Sequence, residues 1–211
     1  MTYSNAYEGS KKLIVAEILV LIVAVGGIAV QVMLAGGVQT EIGTAKTAAS
    51  IGTLCMIVTI VAYIVNLVGL NQAGKDEPFF KTAFAISLIT VLVSVASSVL
   101  TAIGYESIQS IASLAGEILQ IFIIIYVISG IVSLAQRMKD TKLEQTGKKM
   151  LPLIPALMFI SILVRLVNDV FGKGGETVAG AVNIGTAAIT FAAGIIYLIL
   201  LVKAAKALGR R

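Results

Sequence analysis

The chain has no histidine and no tryptophan, one cysteine and three prolines in 211 residues. Without histidine, serine–histidine intramembrane proteolysis, histidine-dependent phosphatase chemistry, histidine-ligated haem and the usual catalytic zinc sites are all excluded. A single thiol, Cys55, builds neither an internal disulfide nor a dithiol redox centre, and it reads as a small hydrophobe. Charge is scarce as well, at 13% of residues. Asp76, Asp140 and Asp169 fall at loops or run ends, which removes the paired aspartates of intramembrane acid–base proteolysis. Gly172-Lys-Gly-Gly175 is too short for a phosphate-binding P-loop and reads as a turn. The connecting segments are short and leave no soluble domain to host an active site. The sequence therefore predicts a protein that is not an enzyme and holds no cofactor.

What the chain has in abundance is apolar length. Apolar residues make up 58% of it and the mean hydropathy is +1.00, far outside the soluble class. They gather in six runs: Leu13–Ala35, Ala48–Leu70, Thr82–Ile103, Ile111–Ala135, Met150–Phe171 and Val178–Val202. Each is about the 20 residues a helix needs to cross roughly 30 Å of hydrocarbon. Lipid offers no hydrogen bonds to the backbone, so each run must be helical throughout. The predicted fold is all-α, a polytopic transmembrane helical bundle of six spans forming one domain over residues 1–211. The first run follows Lys11-Lys12 but is longer than the roughly 7–15-residue apolar core of a secretory signal, and reads as a retained span.

The basic residues orient these spans. Of the 16 Lys and Arg, 13 fall on one face: Lys11 and Lys12, then Lys75 and Lys81, the stretch Arg137 to Lys149, and the C-terminal Lys203 to Arg211. Only Lys46 and Lys173 fall on the other, and Arg165 lies inside a run. Lys and Arg of short loops stay on the cytoplasmic side, so an even number of spans with both termini cytoplasmic is predicted. The net charge of +5 follows from that orientation, with weak attraction to anionic headgroups, and needs no nucleic-acid partner. Short loops, no tryptophan and no Asn-x-Ser/Thr acceptor fit a bacterial cytoplasmic membrane.

A segment recurs along the chain. Val68-Gly-Leu-Asn-Gln-Ala-Gly-Lys-Asp76 and Val132-Ser-Leu-Ala-Gln-Arg-Met-Lys-Asp140 agree at five of nine positions, 64 residues apart, and Leu201-Val-Lys203-Ala-Ala-Lys206 is a fainter copy. The simplest account is three two-helix hairpins, approximately 11–76, 77–144 and 145–211, repeated in parallel sense. This layout is similar to that of bacterial proteins built from three membrane hairpins, the acid-resistance membrane family among them. That family's Trp-Pro-Gly turns are missing here, and the likeness is one of layout alone.

Ionisable groups at membrane depth are costly and usually face a partner or water, which makes them the candidate functional residues. Glu17 and Asn66 form an inner-leaflet polar pair, with Glu17 expected to snorkel toward Lys12 or Lys81. Glu117 and Arg165 each lie six positions inside the opposite end of consecutive spans, roughly 9 Å deep at 1.5 Å per residue. Asp169 follows Arg165 by four positions on the same helix face. The predicted outer-leaflet cluster is Glu117, Arg165, Asp169 and Asn183, with Gln120 one turn below. Between cluster and inner pair the middle of the membrane is expected to be dry.

Small residues at Gly26-Gly27, Ser94 with Ser98, Ser129-Gly130 with Ser133, and Gly185 with Ala188 and Ala192 read as packing seams. Pro152 and Pro155 are expected in the first turns of the fifth span. From these features the leading functional expectation is a non-catalytic assembly or scaffold component of the membrane. Its partners are the lipid bilayer and either a second copy or another membrane protein. The alternative is a small-solute or ion transporter or channel whose outer mouth is the Arg165 cluster.

Overall fold

The computed structural model describes residues 3–35, 42–102, 106–171 and 175–209, with the side chains at 34–35, 42–45, 101–102, 106–110, 168–171, 175–181 and 183 outside the description. Among these residues the chain forms six helices: α1 (Ser4–Ala35), α2 (Ile42–Ala73), α3 (Pro78–Ala102), α4 (Glu106–Arg137), α5 (Thr141–Phe171) and α6 (Gly175–Leu208). All six are long and apolar enough to cross a membrane, and the chain is a polytopic helical membrane protein. Residues 172–174 of the expected turn, Lys173 among them, and the terminal Arg210-Arg211 lie outside the described residues.

Each helix packs on its neighbours in sequence, and α6 returns to α1, so the six close into a ring whose sparsest seam lies between α2 and α3. Helices α2 and α4 have the same length of 32 residues. At 1.5 Å per residue that is about 48 Å, more than the roughly 30 Å hydrocarbon layer. Helices α1 and α5 carry their surplus at the basic end, where each begins well before its apolar run. This corrects the place of Pro152 and Pro155. They sit inside α5, which starts at Thr141 and continues through both.

Local chemistry sets the helix ends. Asp140 caps α5, its Oδ1 accepting from the Leu143 N–H at 3.0 Å. The preceding α4 closes with a bond from the Asp140 N–H to the Ala135 carbonyl at 2.9 Å and one from Lys139 to Gln136 at 3.0 Å. This six-to-one, five-to-two pair puts Lys139 in the left-handed region, with φ 56°. Asp76 does a different job from Asp140, its counterpart in the recurring segment. Its carboxylate reaches back to the start of α1 and accepts from the Ala6 N–H at 2.7 Å and the Asn5 amide at 3.0 Å. Next to it, buried Glu77 accepts from Ser133 Oγ at 3.0 Å and pairs with Arg137 at 3.0 Å, binding the α2–α3 turn to the end of α4.

These ties, with Tyr7 lying against Gly209, gather both termini and two of the loops at one end of the ring. The densest core is there too, built from Leu70, Phe80, Ile131, Leu134, Leu200 and Leu201. Two helix crossings depend on missing side chains. A Cβ on Gly9 would stand 2.6 Å from the Gly69 carbonyl oxygen, and one on Gly130 would stand 2.8 Å from the Phe80 ring. Of the expected seams, Gly26 packs on Cys55 and Gly130 on Phe80, whereas a Cβ at Gly27 or Gly185 would meet open space. Ser94 and Ser98 are exposed, each hydroxyl donating to the carbonyl four residues back, which lets a hydroxyl face lipid without an orphaned donor. The ring's outside is apolar, with Leu92 69% and Met56 66% exposed, as lipid-facing positions should be.

Candidate functional site

Above the basic-end core the ring interior opens into a cavity of about 300 Å³, faced by α1, α2, α4, α5 and α6. Its floor is the buried Leu13, Ile124 and Ile154. The inward stripe of each helix repeats every three or four residues, and those stripes carry the polar groups. From α1 comes Glu17, from α2 Thr59, Tyr63 and Asn66, from α4 Gln120, and from α6 Thr190 and Tyr197. Among the described residues, helix α5 contributes only Ile154 and Met158.

Glu17 is the ionisable acid of this chamber. Its Oε1 lies 3.0 Å from where a Cβ of Gly194 would stand, so the absent side chain on α6 makes room for the carboxylate. Among the described residues it has no hydrogen-bond or ion-pair partner, and the expectation of snorkelling is corrected. Lys12 instead donates to the Gln72 side chain, and Lys81 is exposed. Buried Tyr197 lines the same chamber. Tyr63 presents its ring to the chamber while its hydroxyl donates to the Ser87 carbonyl on α3. That bond ties the sparse α2–α3 seam.

A second recess of about 450 Å³ adjoins the first, sharing Ala24 and Thr190 with it. It runs toward the end opposite the basic loops and is lined by Gln31, Ser161, Arg165 and Thr186. Ser161 and Thr190 hydroxyls meet at 3.1 Å across α5 and α6. Arg165 Nη2 donates to Glu117 Oε2 at 2.6 Å, joining α5 to α4, with both side chains about one-third exposed at 35% and 32%. The side chains of Asp169 and Asn183 lie outside the described residues.

The structure thus places Glu17, Asn66 and Gln120 on one chamber and Arg165, paired with Glu117, beside the next. Polar side chains also line the stretch between the two expected groups. Along α1, Glu17 and Gln31 bracket about 21 Å at 1.5 Å per residue, and Thr59, Gln120, Thr190 and Ser161 supply polar groups between them. Sequence reading passed over Thr59, Tyr63, Thr190, Tyr197, Ser161 and Gln31. Their signal is the stripe: Ser161 lies four residues before Arg165, and Thr59, Tyr63 and Asn66 recur at helical spacing. No family model, curated relative or solved structure matches the chain.

Proposed function

We propose that this protein is a small-solute carrier, a ring of six helices around a hydrated chamber that is closed at the basic end and approached from the other. One observation carries the reading: polar groups from four different spans converge on a cavity of about 300 Å³ within the membrane-spanning bundle, joined to a recess that leads away from the basic end. Cavities of this size, mostly apolar with a few placed polar groups, are the usual form of small-molecule sites. Polar side chains in a span are costly unless they face water or a partner. The basic end fits the cytoplasmic side of a bacterial inner membrane. Three repeated hairpins fit a ring in which every helix meets its sequence neighbours. The work is transport rather than catalysis. The assembly reading leans on exposed apolar faces such as Leu92, Val95 and Val99 of α3, which lipid covers equally well.

The test is access. In a Cys55→Ala background, Thr190→Cys in nanodiscs should react with a charged thiol reagent that does not partition into lipid, whereas Leu92→Cys on the outer surface should stay unreactive. Solute flux into liposomes should accompany that access. A cysteine at 190 as inert as one at 92 refutes a hydrated pathway.

A further inference from the structure

We infer that the chamber binds a monovalent organic cation, with Glu17 as its counter-charge; this rests on the carrier reading and names the substrate class. The first ground is charge. Among the described residues no Lys or Arg lines the chamber, and Glu17 has no partner of its own. Arg165 is paired with Glu117, and Lys12, bonded to the neutral Gln72 amide, does not reach the chamber lining. An ionised carboxylate at membrane depth needs a compensating positive charge, and a cationic solute would supply it inside a chamber whose lining has none.

The second ground is the rest of the wall. Tyr63, Phe191 and Tyr197 bring aromatic rings to the same chamber as the carboxylate. Ring faces attract cations that shed their water easily, above all quaternary ammonium groups. A small inorganic cation would want several oxygen ligands at short range, but the Thr59, Tyr63 and Thr190 hydroxyls are already bonded to the Cys55 carbonyl, the Ser87 carbonyl and Ser161, and Val20, Leu21 and Ile123 share the wall. An anion would meet the unpaired carboxylate. A third ground is room: Gly194 leaves the Glu17 carboxylate free to face the chamber.

The full-length protein in nanodiscs is titrated by calorimetry with choline and with dimethylbutanol, its uncharged isostere, for wild type, Glu17→Gln and Glu17→Asp. Choline should bind wild type and, more weakly, Glu17→Asp. Removing either charge, by dimethylbutanol or by Glu17→Gln, should weaken binding by more than about tenfold. Choline that fails to bind wild type, binds no better than its isostere, or is indifferent to Glu17→Gln overturns the inference. Should Glu17→Gln fail to fold, the two ligands on wild type decide alone. Labelling at Thr190→Cys separates the two failures. A labelled chamber without choline preference refutes the cation and leaves the carrier, and an inert cysteine refutes both.

Discussion

Gly9→Ala is the sharpest probe of how the basic end is built. The added Cβ would stand 2.6 Å from the Gly69 carbonyl oxygen and 2.7 Å from both the Cβ and the N of Ala73, whereas ordinary contact begins near 3.4 Å. Backbone atoms cannot swing aside, so α1 and α2 must part by most of an ångström. A radial gap of about 0.5–1 Å forfeits a quarter to a half of each dispersion contact it opens. The affected side chains include Leu13, Leu70 and Ala73, all at most 2% exposed. Overpacking of this kind costs about 1–3 kcal/mol. Moving the start of α1 also strains its cap on Asp76, worth about 1 kcal/mol. The expected loss is about 2–4 kcal/mol, measured as a lowered unfolding midpoint in detergent against Gly52→Ala. A Cβ at Gly52 meets nothing within 4 Å, and alanine there should be neutral or stabilising by up to about 1 kcal/mol. A Gly9→Ala protein as stable as Gly52→Ala would refute the close crossing.

Arg137→Ala should cost more than Glu77→Gln, about 2–4 against about 1–2 kcal/mol, because it strands a buried carboxylate while the reverse change leaves a half-exposed guanidinium in water. Equal losses in paired denaturation curves would show that Glu77 is not buried. Lys139→Gly should raise stability by about 0.5–1 kcal/mol, since glycine holds φ 56° without strain; a drop in the midpoint would contradict the left-handed closure of α4. Gly194→Leu should fill the chamber beside Glu17 and Leu21, abolishing solute flux and slowing modification of Thr59→Cys in the Cys55→Ala background. Unchanged flux would remove that cavity from the pathway.

Much of the site was readable as residue types, little of it as geometry. Glu17, Asn66, Glu117, Gln120 and Arg165 stand out because a polar group inside an apolar run is rare and costly. Their facing is another matter. Glu17 lies five residues after Lys12 on α1, a spacing that predicts snorkelling toward that ammonium, but Gln72, sixty residues away in sequence, takes the Lys12 donor. Thr59, Ser161 and Thr190 are harder still. In a span a hydroxyl can satisfy itself on its own helix, as Ser94 and Ser98 do on the lipid side, so its presence does not say which way it faces.

The sequence by itself determined the solvent, the number of spans and the shared end of the termini. Each of those depends on a local quantity: apolar length against bilayer thickness, or the placement of Lys and Arg in short loops. Which seams close and which stay open belonged to the tertiary structure. Gly130 and Gly185 are the same residue, each inside an apolar run, yet one sits against the Phe80 ring and the other against open space. The chamber is likewise a property of five helices at once. Its volume is what remains after their side chains have packed, and no single stretch of chain encodes it.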